Sequence, residues 1–276
     1  MPVPVLPILL ASLLDPDRDT VRLVCPPVGK LGQNLARELD QGLGQTFAAC
    51  GFRGCHEPAN GVPSALADVK AEDCTTVVSI IAGPLAAPSP ASSAASLRLP
   101  LAALEKRGCA ETEHVRALLA SPARRILLVT PQSLLFSRRL FERDLRKDLL
   151  ADNLVEASIS LPAGLIPFKV TSCSLLVLDK IRREQHDYGV HFLDAGALDT
   201  GRLASLWDDG NLEGLRTLVR SSLSLDQAGC VTEDVRTLLK EESSLLATAH
   251  CLSEEARQVR EYLKTRPTAP LGALVN

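Results

Sequence analysis

Metal ligands, nucleophiles and phosphate-facing cations are the side chains that could do chemistry in this chain of 276 residues. The eight cysteines stand at positions 25, 50, 55, 74, 109, 173, 230 and 251, and none makes a Cys-x-x-Cys pair beside a second pair or a spaced His pair. Cys50, Cys55 and His56 come closest but lack a regular ligand spacing, so no metal site is expected and the thiols read as small, reduced core residues of a cytoplasmic protein. His114, His186 and His191 fall in no Ser-His-Asp or Cys-His pattern, no phosphate-binding Walker loop occurs, and the histidines read as packing or surface residues. Arg138, Arg139, Arg143, Arg146 and Lys147 form a cluster that could face phosphates, but Glu142, Asp144 and Asp148 are interleaved with it, as on a solvated helix face.

The formal charge of -3 gives no general pull toward phosphate, so a nucleic-acid contact would need a local patch or a basic partner. Aromatics make up 3% of the chain, with one Trp and two Tyr, which leaves few rings to stack on an extruded base. Residues 1–14 are apolar but carry three prolines and no basic residue, and they are too short to span a bilayer, so neither secretion nor membrane insertion is expected. A hydrophobic content of 46% over this length allows a sizeable core in one large domain, or in a domain with an appendage.

The elements that must position any site alternate. Residues 8–14 read as a short helix and 20–25 as a strand ending in the turn Cys25-Pro26-Pro27-Val28-Gly29. Leu31, Leu35, Leu39 and Leu43 line one helical face, 47–55 reads as a second strand, and 63–69 as a short helix. Residues 75–81 are a β-branched run stopping at Ala82-Gly83-Pro84-Leu85, and 86–96, rich in Ala, Pro and Ser, reads as a mobile surface excursion. A helix at 111–120, a strand at 125–130, an amphipathic helix at 140–150 and strands at 155–161, 172–179 and 190–193 follow. Such alternation predicts a doubly wound, mostly parallel sheet with right-handed crossovers. From Asp199 the chain turns helical and polar, with Leu212, Leu215 and Leu218 at three-residue spacing, so the expected division is an α/β domain over 1–198 and a helical C-terminal extension over 199–276.

The most specific stretch runs from Arg125 to Lys180 and resembles the methylase subunit of type I restriction-modification systems. The matching residues, in order, are Pro131, Leu135-Phe136, Arg146 with Leu149-Leu150, Asn153-Leu154, Ile159 to Pro162, Gly164-Leu165, Thr171 and Asp179-Lys180. At lower strength, residues 190–195, 231–235 and 270–275 are similar to later phrases of the same family. The resemblance implies an adenine-N6 DNA methylase of the S-adenosylmethionine-dependent α/β fold, acting with a DNA specificity subunit, a methylase or a restriction subunit, and meeting DNA through that complex. It also implies that the family's N-terminal helical domain is missing, since the first strand begins near residue 20.

The family's cofactor loop, Asp-Pro-x-x-Gly-x-Gly-Gly, corresponds here to Cys25-Pro26-Pro27-Val28-Gly29-Lys30-Leu31-Gly32. Pro26, Gly29 and Gly32 fit. Cys25 replaces the carboxyl that would accept from the cofactor ammonium, and the Leu31 side chain replaces a glycine that allows close backbone approach. Glu57, after Gly54, stands where the family places the acidic residue that accepts from the ribose hydroxyls. The catalytic loop, an Asn or Asp followed by Pro-Pro and an aromatic, corresponds to Ala82, Gly83, Pro84 and Leu85, which retain one proline. Without the side-chain acceptor the target amine is not oriented, and without the ring the extruded base loses stacking of about 1–3 kcal/mol. Three functions follow from the sequence: a methylase-like protein impaired in catalysis, an active methylase with a divergent loop, or a purely structural partner of such an assembly.

Overall fold

A computed structural model describes residues 5–24, 33–52, 75–81, 102–162, 172–184, 188–195, 198–222, 230–240, 244–251 and 262. Seven strands form one sheet: β1 (Val21–Val24), β2 (Thr76–Ile80), β3 (Arg125–Pro131), β4 (Val155–Ser160), β5 (Cys173–Asp179), β6 (Gly189–Asp194) and β7 (Val231–Asp234). Their order is β1-β2-β3-β5-β4-β6-β7. The β1–β2, β2–β3 and β4–β6 pairs are parallel, whereas β5 runs antiparallel to both β3 and β4, and β7 antiparallel to β6. The short connection 161–172 lets β5 double back along β4, a link that a parallel crossover of strand, helix and strand would not allow.

Helices cover both faces. In chain order they are α1 (Val5–Ser12), α2 (Gln33–Ala49), α3 (Ala102–Ala120), α4 (Ser133–Phe136), α5 (Leu140–Ala151), α6 (Thr200–Asp208), α7 (Leu212–Ser222), α8 (Val235–Lys240) and α9 (Ala247–His250). Successive strand residues point to opposite faces, so β3 divides itself between two cores. Leu127 and Val129 pack with Leu9 of α1, Phe47 of α2, Leu203 of α6 and Leu215 of α7. Ile126 and Leu128 pack with Leu118 of α3, Leu134 of α4, Leu149 of α5, Leu238 of α8 and Ala247 of α9. This is the expected mostly parallel α/β sheet, buried on both sides and therefore apolar without alternation in β2 and β3. Short α1 is apolar all round, and Leu6, Ile8, Leu9, Leu10 and Ala11 are each within 1% of full burial, as a helix wrapped on all sides requires.

One predicted strand is corrected. Residues 47–49 are the last turn of α2, not the start of a strand, because Leu43 and Phe47 continue the buried helical face at four-residue spacing. The helix closes in a Schellman motif: Phe52 N–H donates to Phe47 O at 3.0 Å and Gly51 N–H to Ala48 O at 3.0 Å. Gly51 takes φ +86, and the Phe47 and Phe52 rings meet at 5.1 Å across the turn. The rest of that predicted strand, the helix at 63–69 and the excursion at 86–96 lie outside the described residues.

Past Asp199 the described elements are α6, α7, α8 and α9, with β7 as an addition at the sheet edge. Leu215 and Val219 of α7 are buried against the core that α1 shares, and Leu245 O accepts from Ser158 Oγ of β4. Among the described residues no helix is long and apolar enough to cross a membrane.

Candidate functional site

Three parallel neighbours, β1, β2 and β3, present their carboxyl ends along one edge. Val24 at the end of β1 is the register partner of Ser79, and Ile80 of Val129. Ile81 extends β2 by one bond, its N–H donating to Val129 O at 2.8 Å. The chain therefore leaves β1 toward Cys25 and leaves β2 toward Ala82 from adjacent strands, which lie about 4.8 Å apart in a sheet. The carboxyl edge of an open α/β sheet is where ligands bind in this architecture. Cys25, Pro26, Gly29, Gly32, Glu57, Ala82, Gly83, Pro84 and Leu85 themselves lie outside the described residues.

The described ends of these strands are apolar. Val24 and Ile80 are each 7% exposed and Ile81 is fully buried. Behind them, Ser79 Oγ meets His114 Nε2 of α3 at 2.9 Å, and burial lowers the His114 imidazole from its usual 6.5 to about 4. A neutral imidazole bonded to a buried hydroxyl is a packing arrangement here, since Ser79 is 1% exposed and out of reach of substrate. Among the described residues no cluster of His, Cys, Asp or Glu is arranged to hold a metal, and Cys50, Cys173, Cys230 and Cys251 form no disulfide.

The residues that carry the family resemblance are largely scaffold. Arg146, which the sequence reading placed in a cluster on a solvated helix face that could meet phosphates, is instead 2% exposed and cannot meet solvent phosphate. Its Nη1 donates to Leu134 O at 2.8 Å and its Nη2 to Ser137 O at 2.6 Å, so the guanidinium ties α5 to the turn that follows β3. Burial lowers the Arg146 pKa, and the Glu142 carboxyl offsets part of that effect. Asn153 takes φ +53 and ends α5 in a second Schellman motif, with Leu154 N–H donating to Leu149 O at 3.0 Å and both leucines buried. Its Nδ2 donates to Arg182 O at 2.7 Å. Asp179 caps the turn after β5 by accepting from Ile181 N–H at 2.9 Å, and Lys180 Nζ donates to Ser121 O. Sequence reasoning could have assigned Asn153 from helix-stop rules, but the burial of Arg146 and Glu142 has no signature in a pattern of alternating charges.

The sheet order, the reversed β5 and the helices on both faces define the α/β methyltransferase fold. Residues 99–205 match the family model described as N-6 DNA Methylase, a match that contains the whole stretch from Arg125 to Lys180. The structure is similar to the type I restriction-modification system methyltransferase subunit from Streptococcus thermophilus, with a TM-score of 0.53 and 16% identity, covering 90% of this chain and 58% of that one. It is also similar to a chain from a study of complex assembly and conformational transition of the type I R-M system, with a TM-score of 0.52 and 16% identity, covering 96% of this chain and 62% of that one. The chain thus spans less than two thirds of the length of either structure. No curated protein matches it in sequence. The cofactor that this family implies is S-adenosylmethionine.

Proposed function

We propose that the protein is an N6-adenine DNA methyltransferase-like component of a restriction-modification assembly, impaired in catalysis, that acts through contacts with partner subunits or DNA. The observation that carries the reading is the family match over residues 99–205, set against the side chains the chain offers for the cofactor and the adenine. The donor set does not fit the cofactor. The described ends of β1 and β2 offer Val24, Ile80 and Ile81, and the adjoining sequence supplies Cys25 where a carboxyl is needed and Leu31 where a glycine is needed. Ala82 and Leu85 lack the acceptor and the ring that would orient and stack an adenine. The scaffold residues Arg146 and Asn153, which belong to the family resemblance, both make their bonds, which supports a folded domain kept for its surfaces, with a specificity, methylase or restriction subunit as the partner.

The test is transfer of radiolabelled methyl from S-adenosylmethionine to adenine-containing duplex DNA by the full chain. No incorporation is expected from the wild type. Incorporation above background that is lost in a Gly29→Leu variant would favour the active methylase with a divergent loop and overturn the proposal.

A further inference from the structure

The turn after β3 is held from two sides. Its helix α4 has four residues, too few to stand alone in water, and three carbonyls of the turn take donors from outside it. Leu134 O and Ser137 O accept from the buried guanidinium of Arg146, whereas Leu135 O accepts from Leu245 N–H at 2.9 Å. Leu245 is fully buried and acts in both directions, since its own carbonyl accepts from Ser158 Oγ of β4. One residue past α8 thereby joins the turn at the carboxyl edge to a strand of the sheet. The chain around it is fixed by a second hold. His250 Nε2 donates to Ser244 O at 3.2 Å, and the His250 ring stacks on Phe192 of β6 with centroids 3.9 Å apart and planes inclined by 18°. Helix α9, also of four residues, depends on this docking for its shape, and a short segment outside the sheet ladder opens at lower cost than the strands do.

We infer that residues 244–250 form a strap that opens as one unit and, in opening, loosens the turn after β3. Lifting Leu245 withdraws the donor from the carbonyl of Leu135, a residue 1% exposed, and a buried carbonyl left without a donor is costly. The turn therefore follows the strap on that side, while Arg146 keeps its hold on the other. Because the turn leaves β3 at the carboxyl edge, where ligands bind in this architecture, a contact that lifts the strap reshapes that edge from a distance. The inference does not depend on whether the chain binds the methyl donor.

Native-state hydrogen exchange of the full chain in low concentrations of urea tests the strap. Three amides report on it: Leu245 N–H, bonded to Leu135 O, and within the turn Leu135 N–H and Ser137 N–H, bonded to Gln132 O and Ser133 O. In the wild type all three are expected to exchange through one opening with a common urea dependence, shallower than that of Leu127 in the central strand β3. Ser158→Ala, which takes the hydroxyl from Leu245 O, is expected to speed the three amides by the same factor, about tenfold. His250→Ala, which removes the stack on Phe192, is expected to give the same joint acceleration. Acceleration of Leu245 without Leu135 and Ser137 would overturn the inference, as would no acceleration in either variant. So would a wild-type Leu245 amide that exchanges only together with Leu127, a result that needs no variant and would show that the strap does not open apart from the sheet.

Discussion

The guanidinium of Arg146 donates to Leu134 O at 2.8 Å, across the gap between α5 and the turn that leaves β3. With its second bond to Ser137 O, this one buried side chain satisfies two carbonyls of a segment too short to satisfy its own. Arg146→Met removes both donors while keeping much of the volume. It is expected to cost about 2–4 kcal/mol in urea unfolding, because two acceptors are left without them. A loss under about 0.5 kcal/mol would show that the bonds are replaced by water and that the turn is held by other contacts.

Folding stability should fall with acid through the titration of His114. Its folded pKa of about 4 lies below the unfolded value of 6.5, so the unfolded chain takes up a proton that the native chain refuses. The stability is whole above pH 6.5 and is lost as pH falls from there toward 4. Allowing for partial exposure, the change is on the order of 2 kcal/mol. His114→Asn, which keeps a hydrogen-bonding group beside Ser79, should flatten the dependence between pH 6.5 and 4 relative to wild type. Identical slopes in the two proteins would contradict this account.

Asn153 combines a left-handed backbone with a buried side-chain bond, and two variants separate the contributions. Asn153→Gly keeps the conformation and loses the bond to Arg182 O, an expected cost of about 1 kcal/mol. Asn153→Ala loses the bond and also strains the backbone, an expected cost of about 2–3 kcal/mol. Equal losses in thermal or urea unfolding would mean that the positive φ is not a constraint.

Deletion of residues 199–276 asks whether the helical extension stands apart. Leu203, Leu215 and Val219 are buried on one face of the sheet, Leu238, Leu245 and Ala247 on the other, and β7 covers the β6 edge. The truncated chain is expected to lose cooperative unfolding and to bind a hydrophobic dye. A truncated chain with a sharp transition near that of the full chain would support the extension as a separate docking unit.

Strand content was legible wherever β-branched or leucine runs were bounded by turns, as in Thr76–Ile80 and Cys173–Asp179. The family was legible for a related reason. Pro131, Arg146, Asn153 and Asp179 are fold-determining residues whose types and spacing follow from helix stops, turns and one buried guanidinium. The region around Phe47 misled because an aromatic followed by small residues suits a strand as well as a helix end, and only Gly51 marked the stop. The insertion of β5 between β3 and β4, and the edge strand β7, depend on long-range pairing that local sequence does not encode. Glu142 was hidden for another reason, because an acidic residue among arginines reads as solvated until the turn above it is seen to cover it.

Val24 and Ser79 are partners in adjacent parallel strands, and the chain continues from the ends of these strands into the sequences that begin at Cys25 and Ala82. Isothermal titration of the full chain with S-adenosylmethionine addresses the central claim most directly. No heat is expected from the wild type at high protein concentration, and measurable binding is expected once Cys25→Asp and Leu31→Gly are made together. Wild-type binding with a Kd in the range of about 1–100 μM would contradict the claim that this methylase-like chain has lost its cofactor site.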